Sequence, residues 1–234
     1  SFSFQKGDKI GILGPNGSGK TTLLNIISNR ILPDNGTVDI GVNTRIGYYD
    51  QLSKELPENV KAVDYLKETA EIITLRDGSK LSPSQFMERF LFGSSQQYTL
   101  ISDLSGGERK KLYLLKILLE NPNFIIFDEP TNDFDIQTLS ILEDFLENFA
   151  GCSVIVSHDR FFMDRTTDFL FFLNGDGEVK GYSGDVTSFY ESEMSNASEP
   201  ATHKAEAAVI GRKDVKREKK GLSFNEKKEL EAIE

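Results

Sequence analysis

A single cysteine, Cys152, stands among the 234 residues, so no internal disulfide can form and a cysteine-based metal centre is ruled out. That scarcity suits a reducing compartment, and a cytoplasmic location is expected. Cys152 follows Gly151 just ahead of an apolar run and reads as a small core residue. No stretch approaches the roughly 18 consecutive apolar residues of a membrane span. No signal-peptide pattern opens the chain either. Direct membrane insertion is therefore not expected, and work at a membrane would require another chain to span it. Methionine is missing before Met87, and the chain stops at Glu234 inside a charged, helix-prone run, so it reads as an excerpt.

Basic charge is scarce over most of the length. Residues 1–200 carry 18 basic and 30 acidic side chains, against 9 and 7 in residues 201–234, for a net charge of −10. An acidic body argues against nonspecific wrapping of nucleic acid by the main domain. Contacts of that kind would have to be local. The run Arg212–Lys220, with six basic and two acidic residues, fits a solvated hinge or a nucleic-acid contact equally well.

Lys9–Leu13 reads as a short buried strand feeding a glycine-rich loop, and Thr22–Arg30 as the helix after it. Thr37–Ile40 and Arg45–Tyr49, separated by Gly41 and Asn43, read as an antiparallel pair. Residues 52–103 are mostly helical and polar, with breaks at Pro57, Gly78, Pro83 and Gly93, which suggests an inserted helical subdomain. A helix from about Gly107 to Glu120 closes at Asn121-Pro122. Phe124–Phe127 is a continuous apolar run of the kind that parallel sheets bury on both faces, Ser153–Ser157 and Phe169–Leu173 read as a second and a third buried strand, and Asp135–Phe149 is a helix between the first two. Strands alternating with helices predict an α/β fold with a mostly parallel sheet covered on both faces. Gly14, Asp128 and His158 each follow a predicted strand, and ligands on such sheets bind at the carboxyl ends. The three can therefore meet at one edge.

The loop Gly14-Pro15-Asn16-Gly17-Ser18-Gly19-Lys20-Thr21, with Thr22 next, matches the phosphate-loop pattern between a strand and a helix. Its glycines let successive N–H groups face phosphate oxygens, and the helix N-terminus adds partial positive charge. Lys20 can reach the β- and γ-phosphates, while Thr21 and Asp128 offer oxygens to Mg²⁺. The substrate is a nucleoside triphosphate, with ATP expected. Glu129 can polarise the attacking water, and His158 can hydrogen-bond the transferring group. Ser157-His158-Asp159 is no hydrolase triad, because three consecutive residues cannot face one another. His203 has no role in this scheme. Ser105-Gly106-Gly107-Glu108 has capping-box spacing and open N–H groups, so it makes a second anion-binding helix start.

Together these residues resemble the ATP-binding-cassette superfamily. Gly14–Thr21 matches its Walker A loop, Gln51 its Q-loop (a Mg²⁺ contact), and Leu104–Glu108 its signature. Phe124–Asp128 with Glu129 matches Walker B and the catalytic glutamate, Asp135 the D-loop, and His158 the switch histidine. The motifs keep the family's order over residues 10–160. The resemblance implies a P-loop fold with a small antiparallel β subdomain, and cassettes paired head to tail. Ser105 and Gly107 would then serve a partner's nucleotide, Gly106 and Asp135 count among the nucleotide-binding residues, and an isolated chain would hydrolyse ATP weakly. The family's adenine-stacking aromatic would lie upstream of Ser1, leaving Phe2 and Phe4 as core residues.

Finer features are similar to the ABC-F group: Asp128-Glu129-Pro130-Thr131-Asn132-Asp133-Phe134-Asp135, then Ser157–Asp164, then Gly181-Tyr182-Ser183-Gly184-Asp185. The basic linker followed by Leu222-Ser223-Phe224 looks most like the second cassette of Uup-type members. That kinship implies residues 1–194 as the cassette, with a helical subdomain at about 52–106, a linker at 195–221, and the start of a coiled coil at 222–234. It also implies action on the ribosome, with RNA or DNA within reach of the C-terminal region. A membrane-transporter ATPase subunit is the competing reading, since residues 52–103 are long enough to dock a membrane partner. A chromosome-associated split cassette would need a long coiled coil between Walker A and the signature, and this stretch is too short and too often broken.

Overall fold

The strand that feeds the glycine-rich loop occupies the middle of the sheet, and its position explains its composition. The computed structural model describes residues 2–50, 56–70, 72–74 and 80–197. Strand β1 (Lys9–Leu13) is buried at all five positions, with parallel neighbours on both sides. These are β6 (Cys152–Val156) and β7 (Phe169–Leu173). Beyond β6 lie β5 (Phe124–Asp128) and, at one edge, β2 (Ile46–Tyr49), also parallel. The other edge is β8 (Val179–Ser183), which runs antiparallel to β7. The full order is β2-β5-β6-β1-β7-β8.

Alternation along the strands divides the apolar residues between two faces. Ile10, Ile12, Phe124, Ile126, Val154 and Val156 pack with Leu24 of helix α1 (Lys20–Ile27) on one side. Ile125, Phe127, Ile155 and Leu170 face the larger cluster opposite. That cluster is completed by α5 (Gly106–Leu119), α6 (Ile136–Asn148), α7 (Arg160–Thr166) and α8 (Val186–Ala197).

The segment between β2 and α5 adds α2 (Ala62–Lys67), a two-stranded ribbon of β3 (Ile73–Thr74) and β4 (Lys80–Leu81), α3 (Pro83–Arg89) and α4 (Ser94–Gln97). A capping box between Ser82 and Gln85, with Pro83 at the first helical position, starts α3. Ala62, Leu66, Phe86, Met87 and Phe90 share their core with Leu112 and Leu115 of α5. The inserted helices are thereby anchored on the helix that Ser105 caps.

Two expectations need correction. Arg45–Tyr49 does not form a hairpin with Thr37–Ile40: the first forms β2 in the main sheet, and residues 37–40 are not a strand. Joining β5 leaves Tyr48 7% and Tyr49 1% exposed and sets Gly47 against Ile117 and Pro122. Burying a large side chain contributes about 1.5–3 kcal/mol, which an isolated two-stranded ribbon would forgo. Antiparallel pairing occurs instead in β3–β4 and β7–β8. Helix α8 also continues to Ala197, past the linker start expected at 195. Its first turn is held by Asp164, which accepts from Val186 N at 2.6 Å and from Thr187 Oγ1 at 2.6 Å. Gln51, the basic run 212–220 and the capping box at Ser223 lie outside the described residues.

Candidate nucleotide site

The loop after β1 has a backbone that demands its glycines. Gly17 and Gly19 have φ of 80° and 93°, where side chains are strained. A Cβ on Gly14 would lie 2.5 Å from the carbonyl oxygen of Leu173 and 2.7 Å from Ser18 Oγ. Helix α1 has no side-chain cap at its N-terminus, so its first N–H groups are open to an anion. Lys20 Nζ donates to the carbonyls of Gly14 (2.9 Å) and Pro15 (3.1 Å). Phosphate oxygens would replace those carbonyls. Ser18 Oγ is buried without a partner, a polar atom held for something the chain itself does not supply.

Across from the loop, Thr21 Oγ1 donates to Asp128 Oδ2 at 2.9 Å. Asp128 ends β5 and is 7% exposed. Burial pushes its carboxyl above the usual range, against the lowering effect of the Thr21 bond and nearby Lys20, while Asp50 adds to the rise. Among the described residues no group of three or more His, Cys, Asp or Glu is arranged to hold a metal ion by itself. The donor set Thr21 and Asp128 therefore fits a cation that takes most of its ligands from phosphate and water, as Mg²⁺ does.

Glu129 is buried and left-handed, with φ 55° and ψ 51°. Its N–H donates to Val156 O at 2.9 Å, which ties the start of the loop to β6. Oε2 accepts from the backbone N–H of His158 at 3.2 Å, and Oε1 lies 3.3 Å from His158 Nε2. That second contact is an ion pair only with a protonated imidazole, and Oε1 makes no hydrogen bond. The neighbours of His158 face elsewhere. Ser157 Oγ shares a 2.8 Å hydrogen bond with Thr131 Oγ1 and accepts from Asp159 N, while Asp159 caps α7 through Phe162 N.

Arg160 belongs to the Ser157–Asp164 stretch, and only the structure brings it to this site. Its guanidinium lies 4.2 Å from the ring centroid of Tyr190 on α8, a cation–π stack between residues thirty apart. Both line a cleft of about 140 Å³ with Gly14, Lys20 and His158. A larger groove of about 1420 Å³ opens beside Arg45, Phe124 and Cys152, at the amino ends of β2, β5 and β6. Ligands of such sheets bind at the carboxyl ends of the strands, which is where the smaller cleft lies.

The remaining expected residues occupy two helix starts. Ser105 caps α5: its Oγ accepts from Glu108 N at 3.3 Å, and its N–H donates to Glu108 Oε2 at 2.7 Å. Ser105 Oγ also donates to Glu108 Oε2 at 2.7 Å, and that bond, with the one from the Ser105 N–H, holds the Glu108 carboxyl below its usual range. Ser105, Gly106 and Gly107 are exposed. A Cβ on either glycine would meet nothing within 4 Å, and neither has positive φ. Asp135 caps α6, accepting from Thr138 N at 2.8 Å. Phe4 packs against Phe124 and Phe2 against Phe169 and Phe171, although Phe2 is still 39% exposed.

A family profile described as "ABC transporter" matches residues 1–132. The chain is 44% identical over 228 residues to "Uncharacterized ABC transporter ATP-binding protein YfmR" of Bacillus subtilis, covering 97% of this chain and 36% of that protein. It is 35% identical to "ATP-binding protein Uup" of Escherichia coli, over 99% of this chain and 37% of that one. It is 38% identical to "Energy-dependent translational throttle protein EttA" of Escherichia coli, over 82% and 34%. The chain thus spans between a third and two-fifths of these relatives. Its fold matches a dimeric post-hydrolysis state of the ATP-binding cassette MJ0796 bound to ADP and Pi, with TM-score 0.59 and 22% identity, over 78% of this chain and 88% of that one. The chain belongs to the ABC transporter family, as an ATPase domain of the ABC-F type.

Proposed function

We propose that this domain contributes one half of each of two composite ATP sites in a head-to-tail pair of cassettes, within a cytoplasmic ABC-F protein that acts on the ribosome. The observation that carries the pairing is the exposed Ser105-Gly106-Gly107 turn, whose glycines nothing in the chain's own fold requires. Small residues with open N–H groups at a helix start suit the close approach of a phosphate. In MJ0796 the same fold is dimeric. The translational role draws on the similarity to the translational throttle protein.

Within the pair, the Gly14–Thr22 loop wraps the phosphates and Lys20 exchanges the Gly14 and Pro15 carbonyls for phosphate oxygens. Mg²⁺, held by Thr21 and Asp128 with Gln51 from the Q-loop, would neutralise phosphate charge as it develops. Glu129 orients the attacking water and takes its proton as the γ-phosphoryl group leaves ADP. His158, anchored on Glu129, donates to the transferring group. Asp135, at the head of α6, would meet the partner cassette.

The test uses the full-length protein with Glu129→Gln, which should accumulate the ATP-bound pair. Co-sedimentation with ribosomes is expected in ATP and not in ADP. Equal, negligible pelleting in both nucleotides would remove the ribosomal role. A second reading, the ATPase subunit of a membrane transporter, draws on exposed Leu91, Tyr98 and Leu100 near α4. No described helix is long and apolar enough to cross a membrane. Recovery of the trapped protein with membranes and not ribosomes would favour that reading. Loss of pelleting as salt is raised would point to phosphate-backbone contacts by the 212–220 run.

A further inference from the structure

We propose that Asp133 is a positioning residue for hydrolysis: a buried carboxylate that joins the Glu129 loop, the end of β2 and the first turns of α5 into one unit. Asp133 follows the 3-10 turn Pro130–Asn132, four residues after Glu129, and its side chain is 4% exposed. Oδ2 accepts from Tyr49 Oη at 2.9 Å, and Oδ1 is paired with Lys110 Nζ. Tyr49 is the last residue of β2, and Lys110 lies five residues beyond Ser105 in α5. The surroundings are aromatic: the Tyr49 ring packs against Phe134 at 5.3 Å, Tyr113 at 5.7 Å and Phe127 at 6.0 Å. Burial and the adjacent Asp133 carboxylate push the Tyr49 phenol well above its usual range, so it stays a donor.

Three elements far apart in sequence thus share one carboxylate. Buried ion pairs add little net stability over well-packed apolar residues, while loss of one partner is costly. A pair in this position therefore acts chiefly on geometry. One element carries the catalytic glutamate, and another carries the Ser-Gly-Gly turn. The third continues the linkage, because Asp50, next after Tyr49, accepts from Arg30 at 2.7 Å just beyond α1. Arg30 in turn stacks 3.7 Å from the Tyr48 ring centroid. On the paired reading, from which the proposal takes its second half, Glu129 serves the chain's own nucleotide and Ser105–Gly107 the partner's. Asp133 then makes the alignment of each site depend on the other.

The experiment compares full-length wild type with Asp133→Asn, Lys110→Met, Lys110→Arg and the double variant Asp133→Asn/Lys110→Met. It measures kcat, KM for ATP, affinity for a fluorescent ATP analogue, and Tm, with Glu129→Gln as the floor. Misalignment should lower kcat about 10- to 100-fold in Asp133→Asn and Lys110→Met, with KM and analogue affinity little changed, while Tm falls in both because one partner is left unpaired. Lys110→Arg keeps the pair and should recover most of the rate. The double variant should be no slower than the worse single, as expected of residues acting as one unit. Wild-type kcat in Asp133→Asn, a loss of affinity in proportion to rate, or a kcat loss that vanishes when each variant is assayed well below its own Tm, would overturn the proposal. Should Asp133→Asn fail to fold, the contrast between Lys110→Met and Lys110→Arg decides, since Lys110 is 36% exposed. If turnover per cassette proves independent of pairing, the composite-site reading fails, and the same contrast still decides whether Asp133 aligns Glu129.

Discussion

The phosphate loop and the Ser-Gly-Gly turn are both glycine-rich helix starts, and they obey different constraints. In the loop every glycine answers to the chain itself: Gly17 and Gly19 by positive φ, Gly14 by contact with Leu173 and Ser18. In the turn neither constraint applies to Gly106 or Gly107, and Ser105 and Glu108 already satisfy each other. One region is shaped from within, the other for something that arrives from outside. Their carboxylates differ in the same sense. Asp128 is raised by burial, and Glu108 is lowered by its hydrogen bonds.

Substitution at the first glycine should break the comparison most forcefully. Gly14→Ala brings a Cβ to 2.5 Å from a backbone carbonyl, a strain of roughly 2–5 kcal/mol. Chemical denaturation should show the loss of stability, and calorimetric titration should show ATP binding abolished. Gly107→Ala should do the reverse to the fold, raising stability by about 0.5–1 kcal/mol because alanine is the better helix residue. Its turnover should nevertheless fall about 10- to 100-fold in the paired protein. A stable Gly107→Ala protein with full activity would mean that the turn meets no phosphate.

Ser105→Ala removes the α5 cap and should cost about 1 kcal/mol in urea unfolding. The smallest effect concerns pH. A raised Asp128 means that the folded state binds its proton more tightly than the unfolded state. Stability without nucleotide should then fall as pH rises between the unfolded and folded pKa values of this group. Asp128→Asn should flatten that dependence and raise Tm by a few degrees at neutral pH, while weakening Mg²⁺-dependent nucleotide binding. Glu108 has the opposite sign, since its contribution is lost as pH falls through its lowered folded pKa. Scanning calorimetry across pH separates the two, and a lower Tm for Asp128→Asn would contradict the burial argument.

Most of what a local pattern can express was readable in advance. The strand at 124–127 was legible because burial on both faces leaves no room for polar alternation; 153–157 is equally buried with a serine at each end, and 169–173 is apolar although its three phenylalanines are only partly buried. The phosphate loop was readable because its chemistry is concentrated in eight consecutive residues. Residues 45–49 were misplaced because short strands separated by glycine suggest a local hairpin, and nothing nearby points to a partner at 124. The Arg160–Tyr190 stack and the Asp133 linkage were invisible for the same reason. Each joins residues whose proximity only the finished sheet creates.

Glu129 bears on the engineering of this domain. A left-handed backbone at φ 55° favours glycine or asparagine, and an L-residue with a long side chain is disfavoured there by roughly 1–2 kcal/mol. A redesign guided by thermal tolerance alone would select this position early, and the protein it produced would melt later and hydrolyse nothing. Any search for sturdier variants should therefore hold residue 129 fixed and look for its gains in the helices.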